Sequence, residues 1–151
     1  MEKENKEYPR GVEVVASALI VKDEKILLIK SHKWGDIYLL PGGHVEPGET
    51  VLEAAKREGE EEVGLQLEAK YCVNIGELIN DPDFNRKAHL VYFHFVCEAI
   101  GGELKLDERE LKEFVWFDKK EVLNAALPDT TRKTIENYLK GVKIDIPSKV
   151  F

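Results

Sequence analysis

Three glutamates, Glu58, Glu61 and Glu62, stand at i, i+3 and i+4 within the uninterrupted run LEAAKREGEEEV. If that run is a helix, a turn of about 100° per residue gathers the three carboxylates on an arc of roughly 100°, beside an apolar stripe of Leu52, Ala55, Gly59 and Val63. Like charges so spaced repel by a few tenths of a kcal/mol per pair, so helix stability gives no reason for the arrangement. A cation between them would. Hard divalent ions want oxygen ligands, and magnesium takes one or two carboxylates together with waters and substrate phosphates. A solvated acidic face explains the same glutamates without any function.

The surrounding residues decide between the two readings. From Gly43 to Leu65 the chain reads GHVEPGETVLEAAKREGEEEVGL, with Pro47 and Gly48 marking an entry loop and Gly64 a helix stop. This stretch resembles the Nudix box: Gly, five residues, Glu, seven residues, Arg-Glu, an apolar residue, any residue, Glu-Glu, any residue, Gly, apolar residue. The matching positions are Gly43, Glu49, Arg57, Glu58, Glu61, Glu62, Gly64 and Leu65. Seven fixed identities at roughly one in fifteen each put chance agreement at a given start on the order of one in 10⁸. Gly59 departs from the pattern by lacking an apolar side chain, and costs a helix about 1 kcal/mol relative to Ala.

The resemblance implies an α/β fold, the Nudix α/β/α sandwich, with a mixed sheet between helices and the box as a loop-helix-loop. It also implies magnesium- or manganese-dependent hydrolysis of a nucleoside diphosphate linked to another moiety. Carried over by position, Glu49, Arg57, Glu58, Glu61 and Glu62 form the catalytic set, and Glu58, Glu61 and Glu62 are metal ligands. The Gly42 carbonyl would add a ligand, Glu58 is a candidate base, and Glu49 and Arg57 would pair to hold loop against helix. In the family an acid from the loop before the last strand completes the metal site or supplies the base. Glu110 is placed best for this, with Glu108 and Glu113 next.

Substrate contacts are expected from Gly42 and Gly43, from Trp34 and Tyr38 in the loop leading to the box, and from Arg86. Trp34 could equally plug the core, and Arg86 could be solvated. The substrate stays open between an ADP-ribose or nucleotide-sugar type and a modified nucleoside triphosphate such as 8-oxo-dGTP. Pro82 is a near miss for the proline of the first group, and Asp129, Thr130 and Thr131 stand where the second often uses an amide. A nucleotide sensor without activity is the alternative reading, although such domains usually lose box acids and this chain keeps them.

The 151 residues, 43% hydrophobic and 34% charged, suit one domain over residues 11–151 behind a polar, flexible leader at 1–10. A net charge of −7 argues against binding a nucleic-acid polymer. No apolar run approaches twenty residues and no secretory leader is visible, so no membrane partner and a cytoplasmic location are expected, as monomer or homodimer. Cys72 and Cys97 lack metal-ligand spacing and read as buried free thiols.

To position the glutamates, the chain offers a hairpin over Gly11–Lys22 and Lys25–Lys30, turning at Asp23-Glu24, with the apolar character of central strands. One or two strands follow over residues 66–80, and Ala88–Ile100 is the clearest strand. A short strand spans Phe114–Phe117, and an amphipathic helix over Thr130–Leu139 should turn Ile135 and Leu139 to the sheet. His44 reads as an exposed loop residue. His89 and His94 fall on opposite faces, as core or edge side chains.

Overall fold

Odd and even residues of β1 (Val12–Lys22) feed two different layers, and this parity builds the architecture. The computed structural model describes residues 7–32 and 34–151. The expectation of a flexible leader therefore falls outside the described residues for 1–6. Further on, the Tyr8 hydroxyl and the Asn80 amide exchange hydrogen bonds of 2.8 and 3.0 Å, and Lys87 donates to Glu7.

Asp23 and Glu24 both take positive φ, at 48° and 66°, the backbone that a tight two-residue hairpin needs. The chain thereby returns as β2 (Lys25–Ser31), with Ile20 opposite Leu27. Strand β3 (Gly42–His44) also pairs antiparallel with β1, setting Gly43 opposite Ala16. The glycines expected in a loop thus lie in a short strand. After helix α1 (Val51–Val63), the pattern that read as one or two strands is a single long strand, β4 (Leu65–Ile79). It pairs with β5 (His89–Gly102) through three register shifts, and β5 runs parallel to β1. Strand β6 (Leu111–Asp118), longer than its sequence pattern suggested, pairs with β2. The sheet order is β4-β5-β1-β2-β6 with β3 beside β1, and the parallel β1–β5 pair makes it mixed, as expected. A 3-10 turn (Val122–Asn124) and helix α2 (Asp129–Leu139) complete the fold. Past α2, the Ile144 N–H donates to the Cys72 carbonyl at the outer edge of β4.

Ala16, Ala18 and Ile20 pack against Ala54, Ala55 and Val63 of α1, while Leu19 joins Ile26, Leu28, Val96 and Ile135 under α2. Helices thus cover opposite faces. Leu139, expected to face the sheet, is 42% exposed because it lies in the last turn of α2, beyond the buried Ile135. Cys72 and Cys97 are buried and free. No helix among the described residues is long and apolar enough to cross a membrane.

Helix α1 is capped at both ends. The Thr50 hydroxyl accepts from the Glu53 N–H at 3.1 Å, and Gly64 stops the helix with φ of 78°. The departure at Gly59 has a packing cause: a Cβ there would lie 2.7 Å from Leu67 Cδ1 and 3.1 Å from Ala18 Cβ. Glycine lets α1 sit directly on β1 and β4. Gly59→Ala should therefore lower stability by about 1 kcal/mol, because overpacking outweighs the gain in helix propensity. Chemical denaturation measures this, and a more stable variant would contradict the close-packing account.

Candidate active site

Strand β3 is a seam between two environments. Gly43 occupies the hydrogen-bonded position opposite Ala16, flanked by the bonds Ala18 N–H to Pro41 C=O and Val45 N–H to Val14 C=O. By alternation the backbone groups of Gly42 and His44 point away from β1. The His44 carbonyl accepts from Arg57 Nη2 at 3.1 Å, and a Glu62 carboxylate oxygen takes a backbone hydrogen bond from Gly42. Both glycines are required by closeness. A Cβ on Gly43 would lie 2.5 Å from the Glu58 carboxyl, and one on Gly42 would lie 2.1 Å from Ser17 Oγ.

Arg57 binds Glu49 in the bidentate manner expected, Nε to Oε2 at 2.6 Å and Nη2 to Oε1 at 2.9 Å. Its Nη1 also reaches Glu58 at 2.9 Å and Glu61 at 3.4 Å. The guanidinium therefore grips the cluster as well as the loop. These bonds, the Glu49 pair foremost, raise its already high pKa. Burial raises the Glu58 carboxyl, opposed by Arg57. Glu62 is only 5% exposed, and burial first, then its hydrogen bond to Glu110 and the charges of Glu58 and Glu110, push its carboxyl up to about 9. Its Oε2 is buried with no partner. Glu61 lies on the solvent side.

Of the three loop acids, Glu110 is the one brought to Glu62. The Glu108 carbonyl meets His32, and Glu113 pairs with Lys30 and the Tyr38 hydroxyl. Among the described residues no three acids, histidines or cysteines already converge as a cation cage. Electrostatics accounts for this, because neighbouring carboxylates separate, pair with arginine or hold a proton when no cation lies between them. The residues nonetheless suit a hard divalent ion: all the donors are oxygens, and one, Glu62 Oε2, is a buried carboxylate atom without a partner among the described residues.

On the other side of the seam lies a cavity of about 430 Å³, lined by Gly42, Gly43, Trp34 and Arg86 among others. Trp34 packs on Phe84 with ring centres 4.8 Å apart, and the Arg86 guanidinium lies 5.1 Å from the Phe84 ring centre. Arg86 clamps Glu13 with bonds of 2.6 and 2.8 Å. His44, on the strand rather than in a loop, adds a third at 2.7 Å. Arg86, chiefly, brings the Glu13 carboxyl down to about 2. Tyr38 is not among the lining residues; its ring packs edge-on against Phe117 at 5.2 Å, on the side of the second core cluster.

Sequence reasoning passed over Glu13, Ser17, Phe84 and Tyr92. A carboxylate inside the apolar run VEVVASALIV was the available signal, and the parity of Glu13, Val15 and Ser17 puts all three on one face. His89 and His94 do lie on opposite faces, one half-buried and the other buried.

The NUDIX domain family model matches residues 11–138. An ADP-ribose pyrophosphatase of Methanocaldococcus jannaschii is 36% identical over 129 residues, covering 84% of this chain and 73% of that protein. The nucleoside triphosphatase NudI of Escherichia coli is 32% identical over 114 residues, covering 70% of this chain and 77% of that one. A solved MutT NUDIX hydrolase of Burkholderia pseudomallei superposes with a TM-score of 0.69 at 31% identity, covering 83% of this chain and 97% of that one. A NUDIX hydrolase of Nitrosomonas europaea gives 0.72 at 25% identity, covering 87% and 90%.

The carboxyl of Glu62, near 4.5 when solvated and about 9 in the fold, has a stability consequence. Its protonated form favours the folded state fully below about 4.5, and that contribution is lost as pH rises through about 9. Without divalent cation, the melting temperature should fall between pH 5 and 9, and Glu62→Gln should flatten the fall. Parallel profiles for the two proteins would refute the assignment.

Proposed function

The chain belongs to the Nudix family, and from that premise we propose that it hydrolyses a pyrophosphate linkage in a nucleoside diphosphate joined to a further moiety. The observation that carries this reading is the glycine seam. Strand β3 stands between the glutamates of α1 and a cavity large enough for a nucleoside, so a phosphate chain crossing it would meet both. The relatives named ADP-ribose pyrophosphatase and nucleoside triphosphatase support the same linkage class. An ADP-ribose-like substrate is favoured by the higher identity and the longer match of the first.

In this reading Glu58, Glu61 and Glu62 would hold the metal, with Glu110 and the Gly42 carbonyl as further donors. Bound magnesium or manganese would supply positive charge against the pyrophosphate and make a bound water more acidic. Glu58 takes a proton from the attacking water, whose oxygen bonds to phosphorus as the bridging P–O bond breaks, giving two monophosphate products. Arg57 keeps Glu58 and the Glu49 loop in register, and the Trp34–Phe84 ring pair offers an aromatic surface to a base.

Chelation with EDTA should abolish turnover, and magnesium or manganese should restore it; undiminished hydrolysis in EDTA would sink the metal mechanism. A panel of ADP-ribose, nucleotide sugars, dinucleoside polyphosphates and canonical or 8-oxo nucleoside triphosphates should include at least one cleaved substrate. Nucleotide binding with no cleavage across the panel would favour the sensor instead. Glu58→Gln should reduce kcat by about 10²- to 10⁴-fold with metal and substrate saturating. More than about a tenth of wild-type kcat would remove Glu58 as base and make Glu110 the next residue to test. Arg57→Ala should lower both activity and melting temperature, since it releases three carboxylates and the His44 carbonyl.

A further inference from the structure

The floor of the cavity carries a polar group that hydrolysis does not use. Strand register sets Ser17, His94 and Asn74 in one row across β1, β5 and β4. His94 is buried and lines the cavity. Its Nδ1 lies 2.6 Å from Thr134 Oγ1 of α2. That hydroxyl has one proton and three neighbours. It donates to the Thr130 carbonyl at 2.9 Å. Asn74 Nδ2 donates to the same oxygen at 3.0 Å. Thr134 can therefore only accept from His94, which fixes the ring proton on Nδ1.

Burial also draws the imidazole pKa down to about 3, so the ring stays neutral and keeps a lone pair on Nε2. Among the described residues no protein group bonds that nitrogen. The Tyr92 ring, 4.6 Å away, packs against the imidazole, and the Tyr92 hydroxyl rests on Asn74. The imidazole thus presents an acceptor of fixed tautomer at the cavity wall.

We propose that His94 Nε2 determines specificity by accepting a hydrogen bond from an N–H or O–H of the nucleoside end of the substrate. A ligand with a carbonyl oxygen at that point would set lone pair against lone pair and be rejected. A ligand with only C–H there would leave the nitrogen unpaired, a loss that sites built around a hydrogen bond convert into strong discrimination. The assignment rests on the cavity being the nucleotide's, as proposed above.

The test uses calorimetric binding to the wild-type protein in EDTA, which needs no turnover. AMP and GMP are compared with purine riboside monophosphate and IMP, which lack an exocyclic amine, and with the 2′- and 3′-deoxy forms of both. Loss of about 10- to 100-fold in affinity on one deletion is expected, and identifies the donor as amine or sugar hydroxyl. His94→Phe should erase that difference, while His94→Gln, which carries an acceptor oxygen to a similar reach, should keep most of it. Equal affinity across all deletions overturns the assignment whether or not the variants fold. No binding by any probe would overturn it together with the nucleotide reading, whereas binding that ignores the deletions overturns it alone.

Discussion

Burying several carboxylates beside one another is the constraint to which the rest of this structure answers. Water is mostly excluded from Glu62 and partly from Glu58, and the Glu58 charge raises the cost of ionising Glu62, as Glu61 and Glu110 raise it for Glu58. Arg57 offsets part of that cost for Glu58, at the same time binding Glu49 and the His44 carbonyl. One guanidinium thereby ties three parts of the chain: the entry loop, the short strand and the helix. Lysine could not replace it, because the geometry needs planar donors pointing in several directions at once.

The same constraint explains the two backbone approaches. Glu58 can press on β3 because Gly43 has no side chain, and α1 can lie close to the sheet because Gly59 has none. The first approach brings the carboxylate to the strand that borders the cavity. The second sets the depth at which the whole glutamate arc is held. Alternation along β1 then separates the roles: Ala16 and Ala18 support the acidic helix, while Val15 and Ser17 border the cavity. One strand serves the two halves of the site without either half crowding the other.

How much of this was legible in the sequence follows from how local each signal is. The box helix, its Gly64 end, the Glu49–Arg57 pair and the β1–β2 hairpin rest on neighbours within about ten residues, and spacing displays them. The cavity does not. Glu13 meets Arg86 across 73 positions, and Asn74 meets Thr134 across 60, through strand order and a parallel pairing that no local pattern encodes. The placement of Tyr38 was not legible either: its ring turns to Phe117 and its hydroxyl to Glu113, contacts that closeness in sequence to the box does not display. The strand at Gly42–His44 was hidden because glycine is poor in strand propensity, and here proximity to Ser17 and Glu58 overrides propensity.

Strand β4 lies at one end of the sheet order, where unpaired backbone groups would ordinarily invite a strand from another molecule. Three register shifts interrupt its regular ladder, and the Ile144 N–H occupies the outward Cys72 carbonyl midway along it. An incoming chain would meet an uneven spacing of partners and, at Cys72, a carbonyl already taken. The segment after α2 and the irregular ladder of β4 thus act together against edge-to-edge pairing at the middle of this strand.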